Sequence, residues 1–186
     1  TLTRRERKKM KILTHAVFAA TIGLPSVALA GEPFHDTLEL QGISFEVTAT
    51  NDGSINQLKI TPRNLTEDSS AVEVEIDGTV SGAEIEDLDA NGFPEIYVYI
   101  TSAGSGSYGS LVAYAVNDGK SMTPIFLPSL DEDEENAVGY MGHDEFAVLE
   151  GVLGRRFPIY TSGDSNANPT GKMRKLQYKL QAGEAG

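Results

Sequence analysis

The sequence contains no cysteine and no tryptophan, and only three histidines. Without cysteine there is no disulfide scaffold, no thiolate metal site and no thiol nucleophile. No apolar run reaches the roughly 20 residues that a membrane-spanning helix needs. Basic residues are also scarce, with 15 Lys and Arg against 27 Asp and Glu and a formal charge of −12 over 186 residues. Such a balance disfavours nucleic acid and anionic membrane surfaces as partners, and favours basic proteins or cations.

The few basic residues are unevenly placed. Residues 1–30 hold six of them (Arg4, Arg5, Arg7, Lys8, Lys9, Lys11) and one acid, Glu6. From Met10 onward this segment has a basic start, a short apolar stretch interrupted by Pro25, and a small-residue end at Ala28-Leu29-Ala30. That order is the pattern of a secretory signal. Residues 1–30 are therefore expected to comprise nine upstream residues and a cleaved signal peptide, with export to the periplasm. Removing six basic residues and one acid takes the charge from −12 to −17 for residues 31–186. These residues are expected to form a single domain, since no internal repeat or linker divides them. A chain of this length buries roughly two thirds of its unfolded surface, enough for a core without staples.

Short alternating strands dominate the domain. Thr37–Thr50 carries Ile43, Phe45 and Val47 at period two, and Leu58 and Ile60 form a partner strand that stops at Pro62. Val72, Val74 and Ile76 alternate with acids, Asp77-Gly78 reads as a hairpin turn, and Val80 to Ile85 runs back. Ile96–Ile100 is apolar on both faces, which predicts a central strand. Leu111–Val116 is another strand, and Pro124 demotes Met122–Leu127 to an edge or irregular piece. Asp131–Ala137 has room for one or two helical turns. Glu145–Leu153, Arg156–Tyr160 and the alternation about Leu176, Tyr178 and Leu180 complete the set. The predicted class is all-β, an antiparallel β-sandwich with one or two short helices.

Three segments carry candidate chemistry. Gly104-Ser-Gly106-Ser-Tyr-Gly109 matches G-x-G-x-x-G, but no helix pattern follows to receive a pyrophosphate, so a dinucleotide site is not expected. Neither Ser105 nor Ser107 sits in a G-x-S-x-G elbow. What remains is a long hairpin loop presenting Ser105, Ser107 and Tyr108, the hydroxyl-rich kind that recognition loops use. Asp87, Asp89, Asn91 and Gly92 fit positions 1, 3, 5 and 6 of a calcium loop, with Glu95 at position 9. Position 12 is Val98 instead of glutamate, which excludes a full EF-hand. An Asx-rich turn is the favoured reading and a cation site the weaker one. The acidic run Asp131–Glu135 is a solvated face or steers a basic partner.

Catalysis has little support. His35 lies near the expected mature start, and His143 sits beside Asp144 in a glycine-rich stretch. No nucleophile and base pair stands out, and two histidines without cysteine make no zinc site unaided.

The order of several segments is similar to a known family. Asp87-Leu-Asp-Ala-Asn-Gly-Phe-Pro-Glu-Ile-Tyr-Val-Tyr-Ile-Thr-Ser-Ala-Gly-Ser-Gly-Ser-Tyr-Gly-Ser110, then Glu150-Gly151, Arg155-Arg-Phe-Pro-Ile-Tyr160 and Gly163-Asp-Ser-Asn-Ala-Asn-Pro-Thr-Gly171, resemble the periplasmic inhibitors of invertebrate-type lysozyme. The likeness covers about residues 37–180. It implies a β-sandwich with short helices and a protruding loop that enters the lysozyme's substrate cleft. The family's inhibitory serine and tyrosine fall on Ser105 and Tyr108, with Gly106 and Ser107 between them. The resulting expectation is a non-enzymatic, cofactor-free inhibitor, monomer or homodimer, whose partner is a basic lysozyme. The alternative is a calcium-dependent exported binding module built on the Asp87–Glu95 loop.

Overall fold

The structure is a computed structural model that describes residues 8–13 and 31–181. Strands dominate it. They are β1 (Lys8–Leu13), β2 (Phe34–Leu40), β3 (Ile43–Ala49), β4 (Ile55–Arg63), β5 (Val72–Asp77) and β6 (Thr79–Glu86). There follow β7 (Glu95–Thr101), β8 (Gly109–Asn117), β9 (Ser121–Phe126), β10 (Glu145–Leu149), β11 (Val152–Pro158) and β12 (Met173–Gln181). Between β9 and β10 lie a 3-10 turn, Leu130–Glu132, and one short helix, α1 (Glu134–Ala137). Each begins on a cap: Ser129 Oγ accepts the Asp131 N–H, and the Asp133 carboxylate accepts the Asn136 N–H. The all-β class with short helices is what the structure has.

The strands form a smaller sheet, β2-β3-β4-β5, and a larger one, β10-β11-β12-β1-β9-β8-β7-β6. Pairing is antiparallel except between β1 and β9. The two faces of β7 explain the whole architecture. Ile96, Val98 and Ile100 pack with Phe45, Val47, Leu58 and Ile60 of the smaller sheet. Tyr97 and Tyr99 point the other way, into a second core with Phe157, Leu153 and Tyr178. The larger sheet thus curls around its own core while the smaller one lies on its outer face. At the seam, Tyr99 stacks on Phe146 at 5.8 Å, and Glu84 of β6 accepts both the Tyr99 hydroxyl and the Val148 N–H of β10.

Some sequence expectations are corrected. Thr37–Thr50 is not one strand but the hairpin β2–β3, turning at Gln41 and Gly42, because Leu38 and Phe45 meet across it. Pro62 does not end β4, which runs to Arg63; pairing with β5 finishes at Ile60, so no partner requires the missing N–H. Asp77-Gly78 is not a hairpin turn. It carries the chain from one sheet to the other, with Gly78 at φ 122° and its Cα against the Thr101 carbonyl, where a side chain would collide. The proline-bearing β9 pairs with β8 along its length but with β1 only at Ile125 and Phe126.

Strand β1 comes from the segment expected to be a cleaved leader. It lies between β12 and β9, and Met10 is only 1% exposed. The expected cleavage point after Ala30 lies outside the described residues.

Candidate functional site

Strand β7 carries one candidate site at each end. The loop after it, 102–108, returns to β8 with Thr101 opposite Gly109. Ser102 fastens its base twice: its N–H donates to the Tyr108 carbonyl at 2.8 Å, and its Oγ accepts the Tyr108 N–H at 2.9 Å. Ser105 and Tyr108 are exposed at the tip, Tyr108 at 47%, while Gly106 and Ser107 are half-buried. Ser107 has φ 42°, a left-handed conformation that a tight crest imposes on it.

The underside of this loop is held by residues far along the chain. The His143 N–H donates to the carbonyls of Gly106 and Ser107 at 2.8 and 3.1 Å. Such proximity depends on Gly142, at φ 90°, because any Cβ there would overlap the Gly106 carbonyl. The Gly109 N–H donates to Asp144 Oδ2 at 2.8 Å. The same carboxylate accepts the Tyr140 hydroxyl at 2.6 Å and Arg155 Nε at 2.7 Å, and Arg155 also donates to the Tyr140 oxygen at 2.9 Å. The side chains of Arg155 and Asp144 are 6% and 0% exposed.

The rings complete the support. Tyr108 meets Tyr140 edge-on at 5.6 Å, Tyr140 meets Phe157 at 4.7 Å, and the Arg155 guanidinium lies 5.2 Å from the Tyr140 ring centre. Burial raises the Tyr140 pKa, and its bond to the Asp144 carboxylate raises it further. Burial would lower the Arg155 pKa, but the charge and hydrogen bond of Asp144 outweigh it and hold the guanidinium above its ordinary value. The buried Arg155–Asp144 pair rigidifies the loop from below.

A cleft of about 500 Å3 adjoins the loop, and Tyr108, Leu111, Leu127, Leu130, Asp131 and Tyr140 are among the residues that line it. Asp131, which opens the acidic run, and Tyr108 of the hydroxyl loop, separate in sequence, thus line one cleft.

The Asp87–Glu95 loop stands at the opposite end of β7, roughly 20 Å away at about 3.3 Å per strand residue. Asp87 accepts the N–H groups of Asn91 and Gly92 at 3.0 and 2.9 Å and Gln41 Nε2 at 2.9 Å. Asp89 accepts the Asn91 N–H, and Asn91 Oδ1 accepts that of Phe93. Fully buried Glu95 accepts the Leu88 N–H at 2.8 Å. Ligand oxygens of Asp87, Asp89 and Glu95 lie within 4.8 Å of one another. The Asx-turn chemistry is what the geometry displays, because these carboxylates cap their own backbone.

His35 is on β2 of the smaller sheet, 3.5 Å from Glu46. The sequence reading missed the part played by Tyr140, Gly142, Asp144 and Arg155. The only local signal was a glycine-rich stretch ending in an acid, which carries no indication of its partner 35 residues away. Comparison with family models, with curated proteins and with solved structures finds no match to this chain.

Proposed function

We propose that this protein is an exported, reversible inhibitor of lysozyme, with the invertebrate type as its target, that inserts the Ser105–Tyr108 loop into the enzyme's substrate cleft. The observation that carries this reading is an exposed serine and tyrosine on a crest whose backbone is clamped from beneath. A loop ordered before binding loses little entropy on association, so its contacts appear as affinity. Glycosidases of this kind cut with two carboxylates flanking the scissile bond. Hydroxyls from Ser105 and Tyr108 donate hydrogen bonds to such carboxylates while presenting no bond to cleave. Inhibition is then competitive. The excess of acids draws a basic enzyme and accelerates its association at low salt.

The test is lysis of cell walls by several lysozyme types, with and without the purified protein. Wild type should inhibit the invertebrate type. Tyr108→Ala should weaken inhibition by about thirtyfold, as central interface tyrosines do. Ser105→Ala should cost roughly threefold to tenfold, the value of one hydrogen bond. Undiminished inhibition by both variants would remove the loop from the site.

A further inference from the structure

The cleft beside the loop has a chemistry of its own. Two of its lining residues are charged, Arg155 and Asp131. Arg155 is already committed, bonded to Asp144 and buried. Asp131 is exposed, and among the described residues its carboxylate has no hydrogen-bond or ion-pair partner; only its N–H is used, donating to Ser129 Oγ. The unbalanced charge of the cleft is therefore negative.

Its wall is also fixed in place. Leu130, 4% exposed, anchors the 3-10 turn in the core of the larger sheet. The following helix is tied down by Arg174, whose guanidinium donates to the carbonyls of Glu135 and Asn136 at 2.9 and 2.7 Å. Glu132, Glu134 and Glu135 extend the acidic edge outward from Asp131. The rings of Tyr108 and Tyr140 line the same cleft, with Leu111 and Leu127 contributing apolar surface.

A cleft with two tyrosine rings, leucine side chains and one unpaired carboxylate fits a cation on an aliphatic stem. We propose that the cleft is a second contact site, which receives a lysine or arginine side chain from the rim of the inhibited enzyme's substrate cleft. The stem lies against Leu111 and Leu127, and the cation reaches Asp131 and the Tyr108 ring. Tyr108 then serves both contacts, and a target is chosen by the basic residue beside its cleft as well as by the cleft itself. This inference rests on the lysozyme-inhibitor reading.

Binding kinetics of a purified invertebrate-type lysozyme test it, with Asp131→Lys and Asp131→Asn compared against Glu39→Lys. Glu39 is exposed on β2 of the smaller sheet, so its reversal changes the net charge equally without touching the cleft. Asp131→Lys should weaken binding by about tenfold or more, mainly through faster dissociation, and Asp131→Asn by about threefold. Glu39→Lys should stay within about twofold, acting on association alone. All three should melt like wild type. Equal effects of Asp131→Lys and Glu39→Lys, with Tyr108→Ala still impaired, would overturn the cleft site and leave the loop reading intact. Unimpaired binding by both Ser105→Ala and Tyr108→Ala would overturn the loop reading and the inference with it. Acetylating the enzyme's lysines distinguishes the two cations: loss of the Asp131 dependence identifies lysine, and its persistence arginine.

Discussion

The buried carboxylate of Asp144 holds the amide of Gly109, 35 residues earlier in the chain, at 2.8 Å. That bond ties the return strand of the hydroxyl loop to an ion pair inside the larger sheet. Asp144→Asn keeps an acceptor for Gly109 but strands the Arg155 charge, whose side chain is 6% exposed. Breaking a buried pair from one side costs about 3–5 kcal/mol. Urea unfolding should show a loss of that order, and hydrogen exchange should show the Gly109 amide better protected in Asp144→Asn than in Asp144→Ala.

Gly142→Ala tests the clamp without altering any charge. The new methyl group must displace the Gly106 carbonyl, and alanine at φ 90° is strained wherever it sits. Lysozyme inhibition is expected to fall by at least about tenfold, while the far-ultraviolet spectrum remains that of strands. Full inhibition by this variant would mean that the loop tolerates displacement and is not preorganised.

Alkali should unfold the protein through its buried tyrosines. Burial raises Tyr97, Tyr99, Tyr140 and Tyr178 above the ordinary 10.0, assisted by Glu95, Glu84 and Asp144 at the first three. A raised folded pKa means that the native state keeps its protons longer than the unfolded state. Stability is then complete below pH 10 and falls as pH rises above it. Melting temperatures between pH 8 and 11.5 should decline, and the phenolate absorbance of these four tyrosines should appear only with unfolding. At the acid end, hydrogen bonds hold Asp133 and Asp164 below 3.8, so their stabilisation is present above that pH and lost as pH falls through the lower folded values.

Calcium should leave the melting temperature nearly unchanged, because the Asp87 and Asp89 carboxylates already accept backbone N–H groups. Asp87→Ala, in contrast, should destabilise the calcium-free protein by about 0.5–1.5 kcal/mol, the net value of a hydrogen bond whose exposed amides water then takes over. A rise of several degrees in millimolar calcium, abolished by Asp89→Ala, would revive the cation-binding alternative.

Cleavage after Ala30 would take β1 out of the larger sheet. A chain beginning at Gly31 is expected to keep its strand-rich spectrum but to melt below one beginning at Lys8, because Met10 burial alone contributes about 1.5–3 kcal/mol. Equal melting temperatures would show that β1 adds nothing to the folded domain. Terminal sequencing of the exported protein should return Gly31.

Much of the fold was legible in the sequence because a strand writes its burial into period-two alternation. Ile96–Ile100, apolar throughout, announced a strand covered on both faces, and β7 does separate the two cores. The capped turns within Asp131–Ala137 were equally local and equally readable. Asp77-Gly78 misled for the same reason: the dipeptide encodes a sharp reversal of direction, but not whether the next strand pairs with the last one or crosses to another sheet.

The residues themselves, then, determined the strands, the acid excess and a loop bearing Ser105 and Tyr108. Only the tertiary structure decided that the larger sheet curls, that Gly142 and Asp144 come to lie beneath that loop, and that Asp131 comes to line the cleft beside Tyr108. The physical reason is range. Alternation and turn chemistry act over a few residues along the backbone, whereas the clamp and the cleft form where segments 20 to 50 positions apart are pressed together by burial of a shared core, and nothing in either segment alone specifies its partner.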